Sequence, residues 1–226
     1  MFTGFSEKTG GFLWELSFNN ERPWFLAHRQ EFEDFVHTPF KALAKDTIDL
    51  MNARFPAFEG AAHLSRIYRD ARRLFGRGPY KDHLWFILMG DEGAKRDGPA
   101  FWFELAPSTW EYGVGYFDAP PAVMEAFRKS INANPARFER IAGELAHMRG
   151  LRVLGPEYKR PKGSYEGVLG AWYNRRWLAV EWKKDHGEAL YDPSLPQTLV
   201  RAYQRLLPFY EYLLEVYYAA TPEEER

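Results

Sequence analysis

The sequence predicts an α+β fold, with a mainly antiparallel sheet of about four to six strands packed with N-terminal, middle and C-terminal helices. Three observations lead there. Apolar residues at both ends recur at helical three- and four-residue steps. The region after residue 60 switches to short strand-like runs separated by turn residues. These runs do not alternate regularly with helices, as a parallel sheet would require. No compositional shift marks a linker, so residues 1–226 are expected to form a single domain.

Phe12, Leu13 and Leu16 share one face of a first helix. Asn20 suits a helix N-cap, and Pro23 the first turn that follows. Trp24, Phe25, His28, Phe32 and Phe35 then recur at helical spacing. Pro39 predicts a restart, because proline is tolerated in a first turn but not mid-helix. Leu43, Ile48, Leu50 and Met51 carry the apolar face onward. "HLSRIY" (63–68) reads as a short strand, and "HLWFILM" (83–89) as a central strand buried on both faces. "GDEGAKRDGP" (90–99) is a turn-rich break. "AFWFELA" and "TWEYGVGYF" form a hairpin around Pro107 and Ser108. Helices follow in "PAVMEAFRKSINA" and "PARFERIAGELAHM", meeting at Asn134–Pro135, and Gly150 ends the second. "LRVLGPEYKRPKGSYEG" (151–167) is a loop-rich basic segment and "RRWLAVEWKKD" a strand. The tail from Pro193 is helical, with a break or kink expected near Pro208, and "PEEER" is a frayed end.

Composition excludes several classes. Hydrophobic residues make up 46% and aromatics 17%, which is incompatible with disorder. A net charge of −1 argues against bulk electrostatic binding to nucleic acid or an anionic membrane. The absence of cysteine excludes disulfides, thiolate zinc sites and thiol nucleophiles. No signal peptide or long apolar run is visible, so a soluble cytoplasmic protein without membrane contact is expected. The six histidines show no HxH or HExxH spacing, and neither GxxxxGK[ST] nor GxGxxG occurs. No metal or cofactor is therefore expected.

One stretch departs from this neutral balance. Residues 66–81 hold Arg66, Arg69, Arg72, Arg73, Arg77 and Lys81, with Asp70 the only acid. Arginine suits phosphate and carboxylate because its planar fork donates two parallel hydrogen bonds. A strand would put Arg66, Tyr68 and Asp70 on one face and Ile67 and Arg69 on the other. A helical turn would instead gather Arg69, Arg72 and Arg73. The plainer reading is structural: Asp70 beside Arg69 makes an ion pair and the rest are solvated. Gly76 and Gly78 flank Arg77 and allow close approach of backbone N–H groups to an anion.

Arg66, Arg69, Asp70, Arg72, Pro79, Tyr80 and Lys81, taken with "FNNERPWF", "GVGYFDAPP", "FRKSI" and "YKRPKGSY" in that order, resemble the bacterial family called domain of unknown function 2461. The resemblance runs over nearly the full length. Arg73 replaces a usual phenylalanine, and Gly76–Arg77 a usual Asp-Lys. The resemblance implies an α+β fold and a bacterial origin, and carries no activity, cofactor or catalytic residue.

The leading functional expectation is a basic pocket for a small phosphate- or carboxylate-bearing ligand. Arg66, Arg69 and Arg72 would clamp the anion, with Asp70 orienting an arginine. Arg77, Tyr80, Lys81 and His83 would line the pocket, and Lys81 or His83 would move a proton in any chemistry. Arg22 would contribute from the N-terminal segment, and Lys159, Arg160 and Lys162 would close over the site. The alternative is a non-enzymatic module binding nucleic acid or an acidic protein surface, with the arginine motif partly structural.

Overall fold

The computed structural model describes residues 1–70, 72, 74, 76–90 and 98–221. Arg73, most of the turn-rich break at 90–99 and the expected frayed end at 222–226 lie outside them. Helices α1 (Glu7–Phe18), α2 (Arg22–Ala27), α3 (Arg29–Phe32) and α4 (Thr38–Arg54) come first. Strands β1 (Ala61–Leu64), β2 (Leu84–Met89), β3 (Ala100–Leu105) and β4 (Thr109–Gly115) follow. Then come α5 (Pro121–Ala133), α6 (Pro135–Ala146), β5 (Arg152–Leu154), α7 (Gly167–Tyr173), β6 (Ala179–Asp185), α8 (Glu188–Tyr191) and α9 (Leu195–Ala220). The strands form one antiparallel sheet in the order β1-β2-β3-β4-β6-β5, so the chain is α+β. β5 pairs with β6 in the register Arg152↔Glu181 and Leu154↔Ala179.

The chain divides into two compact units. The first comprises Met1–Leu88, Trp102–Tyr112 and Lys183–Arg201. Its core is aromatic: Phe40 meets Phe86 at 5.5 Å between ring centroids, Phe86 meets Phe103 at 5.3 Å, and Phe103 meets Trp110 at 6.0 Å. Leu13, Leu16, Leu43 and Met51 fill in from α1 and α4, each fully buried. Burying a side chain of this size contributes about 1.5–3 kcal/mol. The second unit comprises Met89–Phe101, Gly113–Trp182 and Ala202–Arg226. Phe138 on α6 is its centre, meeting Phe127 at 4.9 Å, Tyr212 at 5.0 Å and Trp172 at 5.5 Å. The Tyr116 hydroxyl donates to Leu213 O at 2.5 Å, and its burial pushes the phenol well above the usual tyrosine range.

Several elements differ from the sequence reading. The first strand is 61–64, not 63–68; beyond it the chain continues only as a bridge between Tyr68 and Tyr80. β2 buries Leu84, Phe86 and Leu88 but leaves Trp85, Ile87 and Met89 partly exposed, so only one of its faces is core. The basic segment at 151–167 contains β5, and α7 follows it at once. α9 runs on through Pro208 without a break. Phe209, Tyr212 and Leu213 just beyond the proline are buried, and that packing keeps the next turn in place.

One irregularity has a local cause. Between α3 and α4 the helix widens into a π-turn, Glu33–His37, and Thr38 N donates to Glu33 O five residues back. Pro39 has no N–H, so it cannot bond Phe35 O in the ordinary i−4 pattern. The Thr9 hydroxyl of α1 takes that place, donating to Phe35 O at 2.7 Å. Ser6 N in turn donates to Thr9 Oγ1 at 3.1 Å. Thr9 is fully buried, and this pair of bonds accounts for a threonine in the core.

Candidate functional site

The basic stretch does not gather at one point. Arg69 turns inward: Nε donates to Tyr80 O at 2.7 Å, and its guanidinium meets Asp82 at 3.4 Å. Tyr80 is buried against Phe25 at 4.1 Å between centroids, and burial first, then Tyr68, pushes its phenol up against the opposing charge of Arg22. Asn20 does not cap α2, whose N-cap is Glu21. Its side chain bonds the Tyr80 backbone twice, Nδ2 to Tyr80 O and Tyr80 N to Oδ1, both at 2.9 Å. Gly78 permits this approach, since a Cβ there would stand 2.3 Å from Asn20 O. The close neighbour of Gly78 is therefore Asn20. Gly76, at φ +77°, serves a turn open to solvent.

Asp70 pairs with Arg72, not Arg69: Arg72 Nη2 reaches Oδ2 at 2.7 Å and Nε reaches Oδ1 at 3.1 Å. The pair is on the surface, and hydrogen bonding to Asp70 raises the Arg72 pKa. Arg77 and Arg22 are exposed. Lys81 lies 5.6 Å from the Trp85 ring centre. Burial, then the charge of Arg69, holds its ammonium below the usual lysine range, with Glu104 opposing. His83 Nδ1 meets Asp82 Oδ1 at 3.0 Å. Burial works against the Asp82 charge, but the bond from His83, a backbone bond and Arg69 together lower its pKa. Glu104 on β3 is raised, chiefly by burial, with His83 and Lys183 opposing. Lys159, Arg160 and Lys162 belong to the second unit and are exposed.

Arg66 stands apart from this set. It lines a cleft of about 370 Å³ in the first unit, with Phe25, Phe32 and Ile67 as apolar wall and Arg29, Glu33, His37 and Lys41 as polar wall. Glu33 and His37 belong to the π-turn. His37 Nδ1 and Glu33 Oε2 are 2.8 Å apart, and a carboxylate only accepts, so the imidazole donates from Nδ1. The ring stacks on Phe32 at 5.4 Å between centroids. Arg29, Lys41 and Arg66 thus stand against the single carboxylate of Glu33, and among the described residues none of the three is in a salt bridge. A cleft with an apolar wall and a few polar groups is the usual form of a small-molecule site.

Sequence reasoning missed Arg29, Glu33, His37 and Lys41. The usable signal was Pro39 within a helical pattern, which requires a local rearrangement of the hydrogen-bond ladder just before it. Among the described residues no group of three or more His, Asp or Glu is placed to hold a metal ion, and no helix is long and apolar enough to cross a membrane.

Fold and cleft together describe an α+β protein with a cleft lined by aromatic rings and cationic side chains of its N-terminal helices and the segment after β1. Residues 8–212 match the family described as Conserved hypothetical protein (DUF2461), and the chain belongs to that family. Comparison with curated proteins gives no match.

Proposed function

We propose that the chain binds a small anionic ligand, bearing a carboxylate or phosphate on an apolar or aromatic body, in the cleft of the first unit. The observation that carries this reading is the set of Arg29, Lys41 and Arg66 without salt-bridge partners around an aromatic wall. All three side chains are exposed, so their donors are open to a bound anion. The apolar body of the ligand rests on Phe25, Phe32 and Ile67. The Glu33–His37 pair is the proton-transfer group this reading assigns, in place of Lys81 or His83. Its Nδ1 is fixed by Glu33, which leaves Nε2 as the atom that exchanges a proton with the ligand.

This revises the wider basic pocket. Arg69, Tyr80 and Asp70 support the fold in this reading, and Arg72 is a surface partner of Asp70. The binding-module alternative needs a continuous stripe of unpaired cations, and the partners of Arg69 and Arg72 interrupt it. The test is the thermal midpoint of the protein against phosphorylated metabolites, dicarboxylates and short oligonucleotides at low and moderate salt. A small anion that raises the midpoint in the wild type, and not in Arg66→Gln, supports the reading. Small-anion shifts that all survive in Arg66→Gln, or a shift confined to oligonucleotides and steeply lost with salt, overturn it.

A further inference from the structure

In the second unit three cations crowd one ring. Lys162 Nζ lies 4.8 Å from the centre of Tyr158, Arg128 Cζ 5.5 Å and Arg176 Cζ 6.0 Å. Nη1 of Arg128 is buried, yet among the described residues it has no hydrogen-bond acceptor. Buried guanidinium donors are normally satisfied, so this atom calls for a partner. The nearby carboxylate of Glu157 acts on Arg175, which is held below the usual arginine range chiefly by burial.

The scaffold around these cations is built tightly. Arg128 and Asn132 stand one turn apart on α5 and so share a face. Asn132 Oδ1 accepts from the hydroxyls of Tyr165 and Tyr173, each at 3.2 Å. Asn174 Oδ1 accepts from Lys162 N at 2.7 Å and Gly163 N at 3.3 Å, fixing the loop that carries Lys162. Tyr158 N donates to Asn174 O at 2.9 Å, and Arg176 N to Pro156 O at 2.9 Å. Gly163 lies so close to Tyr173 that a Cβ would be 2.5 Å from its ring. The backbone that carries Lys162 and Arg176 is thus held in place, and the face of one tyrosine is the shared neighbour of all three cations.

We propose that Arg128, Lys162 and Arg176 form a second anion site, for a phosphate group, either free or as the terminus of a small phosphomonoester. It is independent of the cleft, because every residue it uses belongs to the second unit. A phosphate group carries at least three acceptor oxygens in a tetrahedral array, one for each of the three cations, whereas a carboxylate carries two in one plane. Lys159 and Arg160, on the same loop but absent from the Tyr158 cluster, are spectators.

The experiment is a ³¹P NMR titration of the whole protein with inorganic phosphate and with phenyl phosphate, at constant ionic strength held with chloride. Arg176 and Lys162 are exposed, so Arg176→Gln and Lys162→Gln leave the fold intact. Each is expected to weaken saturable phosphate binding about ten- to a hundredfold, as loss of a charge-assisted hydrogen bond does. Lys159→Gln is expected to leave it within about twofold, as substitutions away from the bound group do. Arg128→Gln, with its fold checked by circular dichroism, should abolish it. Non-saturable binding, equal loss in Lys159→Gln, or loss in Arg66→Gln but not in Arg176→Gln overturns the proposal. The last result assigns the phosphate to the cleft and leaves the proposed function standing.

Discussion

Thr9→Val tests the physical origin of the π-turn that positions Glu33 and His37. Valine matches threonine in volume, so no cavity opens, and the change removes the hydroxyl alone. Phe35 O loses its one side-chain donor among the described residues, at 2.7 Å, and Pro39 cannot replace it. Ser6 N loses its acceptor at 3.1 Å. An unsatisfied carbonyl costs about 1–3 kcal/mol. The lost bond at the helix start adds about 0.5–1 kcal/mol. The expected loss is therefore about 1.5–4 kcal/mol, and at roughly 2–4 °C per kcal/mol for a chain of this size the midpoint falls by about 3–16 °C. Urea denaturation gives the free energy directly. Thr9→Ser keeps the hydroxyl and should recover most of the loss. Pro39→Ala, made in the Thr9→Val background, restores an N–H opposite Phe35 O and should also recover part of it, a coupling read from the double-mutant cycle. A Thr9→Val protein within about 0.5 kcal/mol of wild type, the range of a neutral surface change, would show that the Thr9 hydroxyl does not hold the π-turn.

Three further outcomes follow from the same geometry. Arg69→Ala should destabilise by about 1.5–3 kcal/mol, because Tyr80 O loses a charged donor, whereas Arg72→Ala, on an exposed pair, should leave the urea midpoint unchanged. Gly78→Ala should cost about 1–3 kcal/mol in the same assay, since its methyl meets Asn20 and something must shift. Glu104→Gln should raise the thermal midpoint at neutral pH. Burial raises the folded-state pKa of Glu104, so between the unfolded and folded values the native protein binds more protons and stability falls as pH rises. The wild type should thus lose stability across that window on going from acid to neutral pH, and the glutamine variant should lose less.

The legible parts of the fold are those that proline and periodicity mark locally. Pro121 and Pro135 open α5 and α6, and Ala106 N closes the hairpin onto Thr109 O at 2.9 Å around Pro107 and Ser108. β5 escaped notice because glycine, proline and lysine break up the period of 151–167, and α7, seven residues long, is too short to establish a helical period. Asn20 shows why a site is harder to read than a fold. Locally it is a good cap, but its partner is the backbone of Tyr80, sixty residues away, and nothing in its neighbourhood reports that. The arginine stretch was legible as a concentration of charge. The assignment of each cation to Tyr80, Asp70 or the cleft depends on contacts between segments distant in sequence. Glu33 and His37 look like an ordinary helical pair until Pro39 is given its physical weight.

The central claim is that an anion binds beside His37. The most direct measurement is ¹H–¹⁵N NMR of the six histidine imidazoles during titration with the strongest small anion from the thermal panel, with His37 assigned by His37→Gln. The His37 resonances are expected to move saturably with the ligand, His83 and His186 to stay in place, and Arg66→Gln to abolish the movement. Saturable binding that leaves His37 unmoved while another histidine shifts would contradict it.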